Sequence, residues 1–325
     1  MRAFVTGGTG FVGSHLVEEL LRRGYEVRAL ARGDLKWLEG LPVEIVRGGL
    51  LDHNALREAM QGVDVLHHVA GLTRAPDAAA LDRANVEGTI AVLDAAEAAG
   101  VPRALVTSSL AAVGPSGSEP LSEEAPLRPL SRYGESKAKM ERAIAARQAK
   151  GRGPEVVVVR PPVVYGPREA DIYTILRAAA RQRLFPVVGP GRTPQLDLVH
   201  VRDLVRGMAD AAESDRAMGE TYFLGGPRPY AWNEIREAAI AALGRSVLRV
   251  NVPRPLVGPA GAAAEAFGRL IGQYPPLNRE KAREAKASWV VSSEKARRHF
   301  GYQPEVDVEE GMRETVDWYR QHGWL

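Results

Sequence analysis

The chain has 325 residues, 45% of them apolar and 26% charged, no cysteine and a formal charge of +3. That length holds about two domains, and the apolar share is enough for a core, which excludes disorder as a description of the whole. The missing thiols exclude disulfide frameworks, cysteine nucleophiles and cysteine-ligated metal sites, and the scattered basic residues form no nucleic-acid stripe.

Met1 runs directly into Arg2–Thr6, the first predicted strand, with no room for a signal peptide; with the absent cysteines this predicts a cytoplasmic protein. Further strands are expected at Tyr25–Ala31, Val43–Gly48, Val63–Val69, Arg103–Ser109 and Glu155–Pro161. Helices are expected between them at Phe11–Arg23, Asn54–Met60, Asp77–Ala99 and Ser131–Lys150. Several strands are apolar on both faces, as in a parallel sheet covered by helices on each side. The alternation predicts an α/β fold with a doubly wound parallel sheet of the Rossmann kind. After Pro161 the rhythm changes to Pro/Gly clusters and helices, which predicts a smaller, mostly helical substrate domain. The expected division gives residues 1–162 and 196–226 to dinucleotide binding, and 163–195 and 227–325 to the substrate. No stretch is long and apolar enough for a membrane span. The nearest, Leu256–Gly272, contains Glu265 and Arg269 and reads as a substrate-domain helix.

Thr6-Gly-Gly-Thr-Gly-Phe-Val-Gly13 falls where the first strand turns into the first helix. Glycines there permit a tight turn and let the backbone approach a pyrophosphate, while the helix start offers free N–H groups. The strand–turn–helix context makes this a dinucleotide site. The second signal is Tyr133 with Lys137, four residues apart and so on one helix face. Nine tyrosines and seven lysines give roughly 0.2 such pairs by chance, and this is the only one. Thr107-Ser108-Ser109 ends the fifth strand, at the edge of the sheet where ligands bind in open α/β folds. His67 and His68 are adjacent in a strand and point to opposite faces, so they do not chelate together, and no metal site is expected.

With these motifs stand His68-Val-Ala-Gly71, Asn85-Val-Glu-Gly-Thr89, Arg160-Pro-Pro-Val-Val-Tyr-Gly-Pro167 and His200-Val-Arg-Asp203. As a set they resemble the extended short-chain dehydrogenases/reductases, the NAD-dependent epimerase/dehydratase family, nearest its dihydroflavonol reductase and 3β-hydroxysteroid dehydrogenase branch. The resemblance implies that Tyr133 is the general acid/base. A free phenol titrates near ~10, so Lys137 and the oxidised nicotinamide would favour the phenolate, and Lys137 would also hold the nicotinamide ribose. Ser109 would hydrogen-bond the reacting oxygen, and Asn85 would complete the catalytic set. For the cofactor the resemblance implies Gly7, Gly10, Phe11, Val12 and Gly13 at the loop and helix start. It adds Arg32 and Leu50 after the second and third strands, then His68, Ala70 and Gly71 along the groove. Thr107, Tyr133 and Lys137 follow, with Pro161 and Val163 on the nicotinamide side.

Two departures from the pattern bear on the cofactor. An NAD-preferring member has an acidic residue at the end of the second strand, where this chain has Ala31 followed by Arg32; NADP is therefore expected ahead of NAD. Gly49 stands where an adenine-contacting Asp is common. Two more bear on the substrate: nucleotide-sugar enzymes usually carry Asn and Arg where this chain has Val163 and Leu196. The expectation is an oxidoreductase transferring a hydride between the nicotinamide and a secondary alcohol or ketone of a small, fairly apolar substrate. The alternatives are a nucleotide-sugar epimerase or dehydratase with tightly bound NAD, and a non-catalytic dinucleotide-sensing regulator. The Ala-rich helices Asp77–Ala99 and Ser131–Lys150 are expected to pair in a homodimer.

Overall fold

The computed structural model describes residues 1–259, 262 and 279–325. Strands β1 (Arg2–Thr6), β2 (Glu26–Ala31), β3 (Val43–Arg47), β4 (Val65–His68), β5 (Arg103–Thr107) and β6 (Glu155–Arg160) fall inside the six segments expected from sequence. A seventh strand, Thr221–Phe223, joins the edge beside β6, and all pairings in this sheet are parallel. From that edge the order is Thr221–Phe223, β6, β5, β4, β1, β2, β3, so the chain reverses direction across the sheet between β1 and β4.

Helices cover both faces. Helix α1 (Phe11–Arg22) buries Leu16, Val17 and Leu20 together with Ala3, Val5 and Leu105 of the sheet; the helix Val201–Glu213 adds Leu204, Val205 and Met208 to the same core. On the opposite face Leu56, Met60, Val92, Leu93, Met140 and Ile144 pack on Phe4, Leu66 and Val106. With each strand between two apolar layers, the continuous apolar runs of β4 to β6 have a direct cause.

The expected long helix Asp77–Ala99 is three pieces: an α-helical turn Ala78–Asp82 capped by Asp77, a π-helical stretch Arg83–Glu87, and Gly88–Ala98. Helical periodicity in a sequence does not reveal one inserted residue, and π-stretches occur often at functional sites. The helix expected at Ser131–Lys150 is Arg132–Gln148, with Ser131 Oγ accepting from Gly134 N at 3.3 Å. The helix expected at Leu256–Gly272 lies mostly outside the described residues.

Beyond β6 there is more sheet than expected. Val163–Tyr165, Gln195–His200 and Pro229–Ala231 form a three-stranded sheet, and Leu184–Val188 pairs with Leu248–Val252. Residues 196–200 pair with 163–165 and 229–231. The helices Ala170–Gln182, Trp232–Leu243 and Val308–Gln321 pack around these strands in a second core that includes Leu196, Tyr230, Ile235 and Trp289. No helix among the described residues is long and apolar enough to cross a membrane.

Candidate active site

The glycine loop is shaped by one contact. Gly7 takes φ +75°, and a Cβ on Gly13 would lie 2.1 Å from Gly7 O, so the helix packs against its own loop only because position 13 has no side chain. Gly10 caps α1, and Phe11, Val12 and Gly13 make its first turn, where N–H groups have no intrahelical acceptor. Phe11 and Val12 are partly buried, with side chains packed against the core.

A cavity of about 450 Å³ opens above this loop, at the carboxyl ends of β1 to β4. Gly7, Arg32, Leu50, Ala70 and Gly71, all expected from sequence, line it together with Thr9, Ala31, Gly49, Leu51, Leu72 and Arg83. A Gly-lined turn, a helix start and a largely apolar slot fit a dinucleotide: backbone donors for the pyrophosphate and Leu50 and Leu51 for a flat ring.

His68 departs from its expected place. It is 1% exposed, with Nδ1 2.7 Å from Thr6 Oγ1 and Nε2 2.9 Å from Thr89 Oγ1, so it ties β1 to Gly88–Ala98 beneath the groove rather than forming its wall. Burial pushes its pKa down to about 3, which keeps the ring neutral. His67, on the other face of β4, is fully buried without a hydrogen-bond partner. Among the described residues no cluster could hold a metal ion.

Asn85 is also placed behind the groove. Its Oδ1 accepts from Leu72 N and its Nδ2 donates to Leu72 O, both at 2.8 Å; Nδ2 also donates to Ser136 Oγ at 2.9 Å. The π-helical stretch turns this amide inward, where it fixes the loop after β4. Asn85 therefore positions the groove, close to Lys137: a Cβ on Gly71 would lie 3.0 Å from Asn85 Oδ1 and 3.3 Å from Lys137 Nζ.

Ser109, Tyr133 and Lys137 come together. A Cβ on Gly134 would sit 2.2 Å from Ala111 O, so the first turn of the helix Arg132–Gln148 lies directly on the turn that follows β5. That approach brings Tyr133 and Ser109 to the same cavity wall. Burial raises the phenol's pKa; the neighbouring Ser109 hydroxyl works against this, and the charge of Glu284 adds to it. Lys137 is 4% exposed and its Nζ donates to Thr107 O at 2.8 Å. Burial pushes the ammonium down to about 8, partly opposed by Glu141. Ser108 turns away and donates to Glu141, which forms a buried 2.6 Å ion pair with Arg160.

Lys137 stands between the first cavity and a second of about 390 Å³. On one side, a Cβ on Gly71 would lie 3.3 Å from its Nζ; on the other, Tyr133 and Ser109 line the second cavity. The rest of that lining is Leu110, Ala111, Pro162, Val163, Leu196, Trp232, Glu284, Ala285 and Trp289. Val163, expected at the cofactor, is on this wall because it opens the three-stranded sheet. Pro161 is buried, its carbonyl accepting from Leu110 N at 2.9 Å. Thr107 contributes its carbonyl to Lys137, and its Oγ1 is buried without a partner. Trp232, Glu284 and Trp289 carry no motif that a sequence could display. Trp289 is brought in because its N and O bond Gln195 O and Asp197 N beside Leu196.

A parallel sheet with a glycine loop at its first turn, and a Ser–Tyr–Lys cluster at the carboxyl ends of its strands, defines a dinucleotide-binding protein with a place for a second ligand. Residues 3–225 match the NAD dependent epimerase/dehydratase family, and the chain belongs to it, among the extended short-chain dehydrogenases/reductases. It is 33% identical to a ceramide reductase of Caulobacter vibrioides over 99% of this chain and 95% of that protein. With a putative dihydroflavonol 4-reductase of Synechocystis it shares 31% over 99% and 95%. Its fold is similar to the dTDP-glucose 4,6-dehydratase DesIV of Streptomyces venezuelae, solved with NAD bound: TM-score 0.80, 27% identity, 100% of this chain and 98% of that one covered. The chain is thus that of an NAD-dependent oxidoreductase or epimerase.

Proposed function

We propose that the protein is an NADP(H)-preferring oxidoreductase that interconverts a ketone and a secondary alcohol on a small, fairly apolar substrate. The observation that carries this is the second cavity: the Tyr133 phenol and Ser109 hydroxyl are set in a wall of Leu110, Pro162, Val163, Leu196, Trp232 and Trp289. A bound nicotinamide supplies or accepts the hydride. Ser109 holds the substrate oxygen, and Tyr133 donates a proton to it in reduction and takes it back in oxidation. In the protein without cofactor the phenol is held protonated, which suits it to act as the acid. The Lys137 ammonium favours the phenolate that each reduction leaves behind.

The cofactor preference is supported by Ala31 and Arg32 on the wall of the first cavity, where a guanidinium can pair bidentately with a 2′-phosphate and no carboxylate lines the site among the described residues. The test is titration of NADP⁺ and NAD⁺ onto the protein, then NADPH oxidation with a panel of apolar ketones. Tighter NAD⁺ binding overturns the preference, and turnover of nucleotide-sugars alone overturns the substrate class. That second reading, a nucleotide-sugar epimerase or dehydratase, is favoured by the likeness to DesIV. Against it stand Val163 and Leu196, which offer a charged substrate no hydrogen bond from their side chains. The reading includes a cytoplasmic homodimer; sedimentation showing only monomer at micromolar concentration removes the dimer.

A further inference from the structure

Two arginines line the first cavity. Arg32 follows β2, while Arg83 opens the π-helical stretch. They are the only charged residues among the described ones that line it. Both are exposed, and neither side chain has a hydrogen-bond or ion-pair partner among the described residues. The carboxylates nearest in sequence are engaged elsewhere: Asp82 pairs with Lys139 at 2.7 Å, and Asp34 accepts from Lys36 N at 3.0 Å. The same lining includes the apolar Leu50, Leu51 and Ala84. The π-helical stretch links this arrangement to the fold, since it begins at Arg83 on the groove and buries Asn85 two residues later.

We propose that Arg83 is the second cationic ligand of a phosphorylated adenosine, closing on the 2′-phosphate that Arg32 meets. This rests on the NADP(H) reading and extends it to a residue outside the glycine loop and the end of β2. A phosphate monoester carries between one and two negative charges at neutral pH, so one guanidinium leaves it incompletely paired, and a second cation gains from the remainder. NAD offers only hydroxyls there, so Arg83 discriminates between the two cofactors rather than serving both.

The experiment titrates NADP⁺, NAD⁺, 2′,5′-ADP and 5′-AMP onto the wild type, Arg83→Ala, Arg83→Gln and Arg32→Ala at two ionic strengths, with melting of each unliganded protein as the check on folding. Removing one exposed charge-assisted contact should weaken NADP⁺ and 2′,5′-ADP roughly tenfold in Arg83→Ala and Arg83→Gln. NAD⁺ and 5′-AMP should stay within about twofold, and the salt dependence of NADP⁺ binding should become shallower. Equal weakening of all four ligands, or no change in any, overturns the proposal. If Arg32→Ala is selective for the phosphorylated ligands while the Arg83 variants are not, the NADP(H) reading stands and Arg83 alone is wrong. If the wild type prefers NAD⁺ and Arg32→Ala changes nothing, both fall.

Discussion

Lys137 should make stability and function respond to pH in opposite directions, and Lys137→Met should remove that response. Lys137 is 4% exposed, and burial lowers its pKa from 10.5 to about 8. Between those values the folded chain carries a neutral amine while the unfolded chain carries an ammonium. The unfolded state then binds more protons, so stability rises as pH rises across the window. Holding the cation inside costs about 3 kcal/mol, a penalty fully present below pH 8 and released by pH 10.5. Other groups titrate in the same range, so the quantity to read is the difference between wild type and Lys137→Met, from urea unfolding at a series of pH values. Wild type should gain about 3 kcal/mol on the variant between pH 8 and 10.5. Over the same range wild-type cofactor affinity and turnover should fall, because the neutral amine no longer favours the phenolate. Parallel stability curves for the two proteins would falsify the reasoning, since Lys137 would then be no more burdened inside the fold than outside.

Three further outcomes are expected. Tyr133→Phe keeps the ring in its wall, so cofactor affinity should be unchanged while single-turnover hydride transfer slows on the order of a hundred- to ten-thousand-fold; transfer at the wild-type rate removes Tyr133 as the acid/base. Gly13→Ala drives a methyl into Gly7 O, 2.1 Å from its Cβ position, and should lower the melting temperature and abolish cofactor binding; an undisturbed titration refutes the close approach. Glu141→Gln leaves the Arg160 charge unpaired in a site where both side chains are 7% exposed, and should cost about 3 kcal/mol or more in denaturant unfolding; a neutral result means water reaches the pair.

What the sequence displayed follows from how local each constraint is. The glycine loop was legible because its requirements, a positive φ at Gly7 and no Cβ at Gly13, are properties of the backbone within eight residues. Tyr133 and Lys137 were legible because helical spacing alone puts them on one face. His68 was misplaced because a strand covered on both faces buries both sets of side chains, and nothing local says which partner waits; Thr6 and Thr89 claim the ring here. The π-helical stretch that turns Asn85 inward is likewise invisible to periodicity, which cannot locate one extra residue in a long helix.

The second cavity follows the opposite logic, and this is why the chemistry was easier to read than the substrate. Its wall joins residues 109–111, 133, 162–163, 196, 232, 284–285 and 289, brought together only by tertiary contacts such as those of Trp289 with the strand Gln195–His200. Yet Val163 and Leu196 had drawn notice in the sequence for polar groups they lack, and the fold puts both on that wall. Their side chains can bind a substrate only through apolar contact. A reading that needs a gripped sugar nucleotide must find its donors elsewhere; Trp232 Nε1, buried without a partner, is one candidate. Trp232→Phe, which removes the indole N–H and keeps an aromatic face, therefore separates the two substrate classes: turnover of a purely apolar ketone should change less than threefold, while a substrate held by that N–H should lose roughly tenfold in kcat/KM.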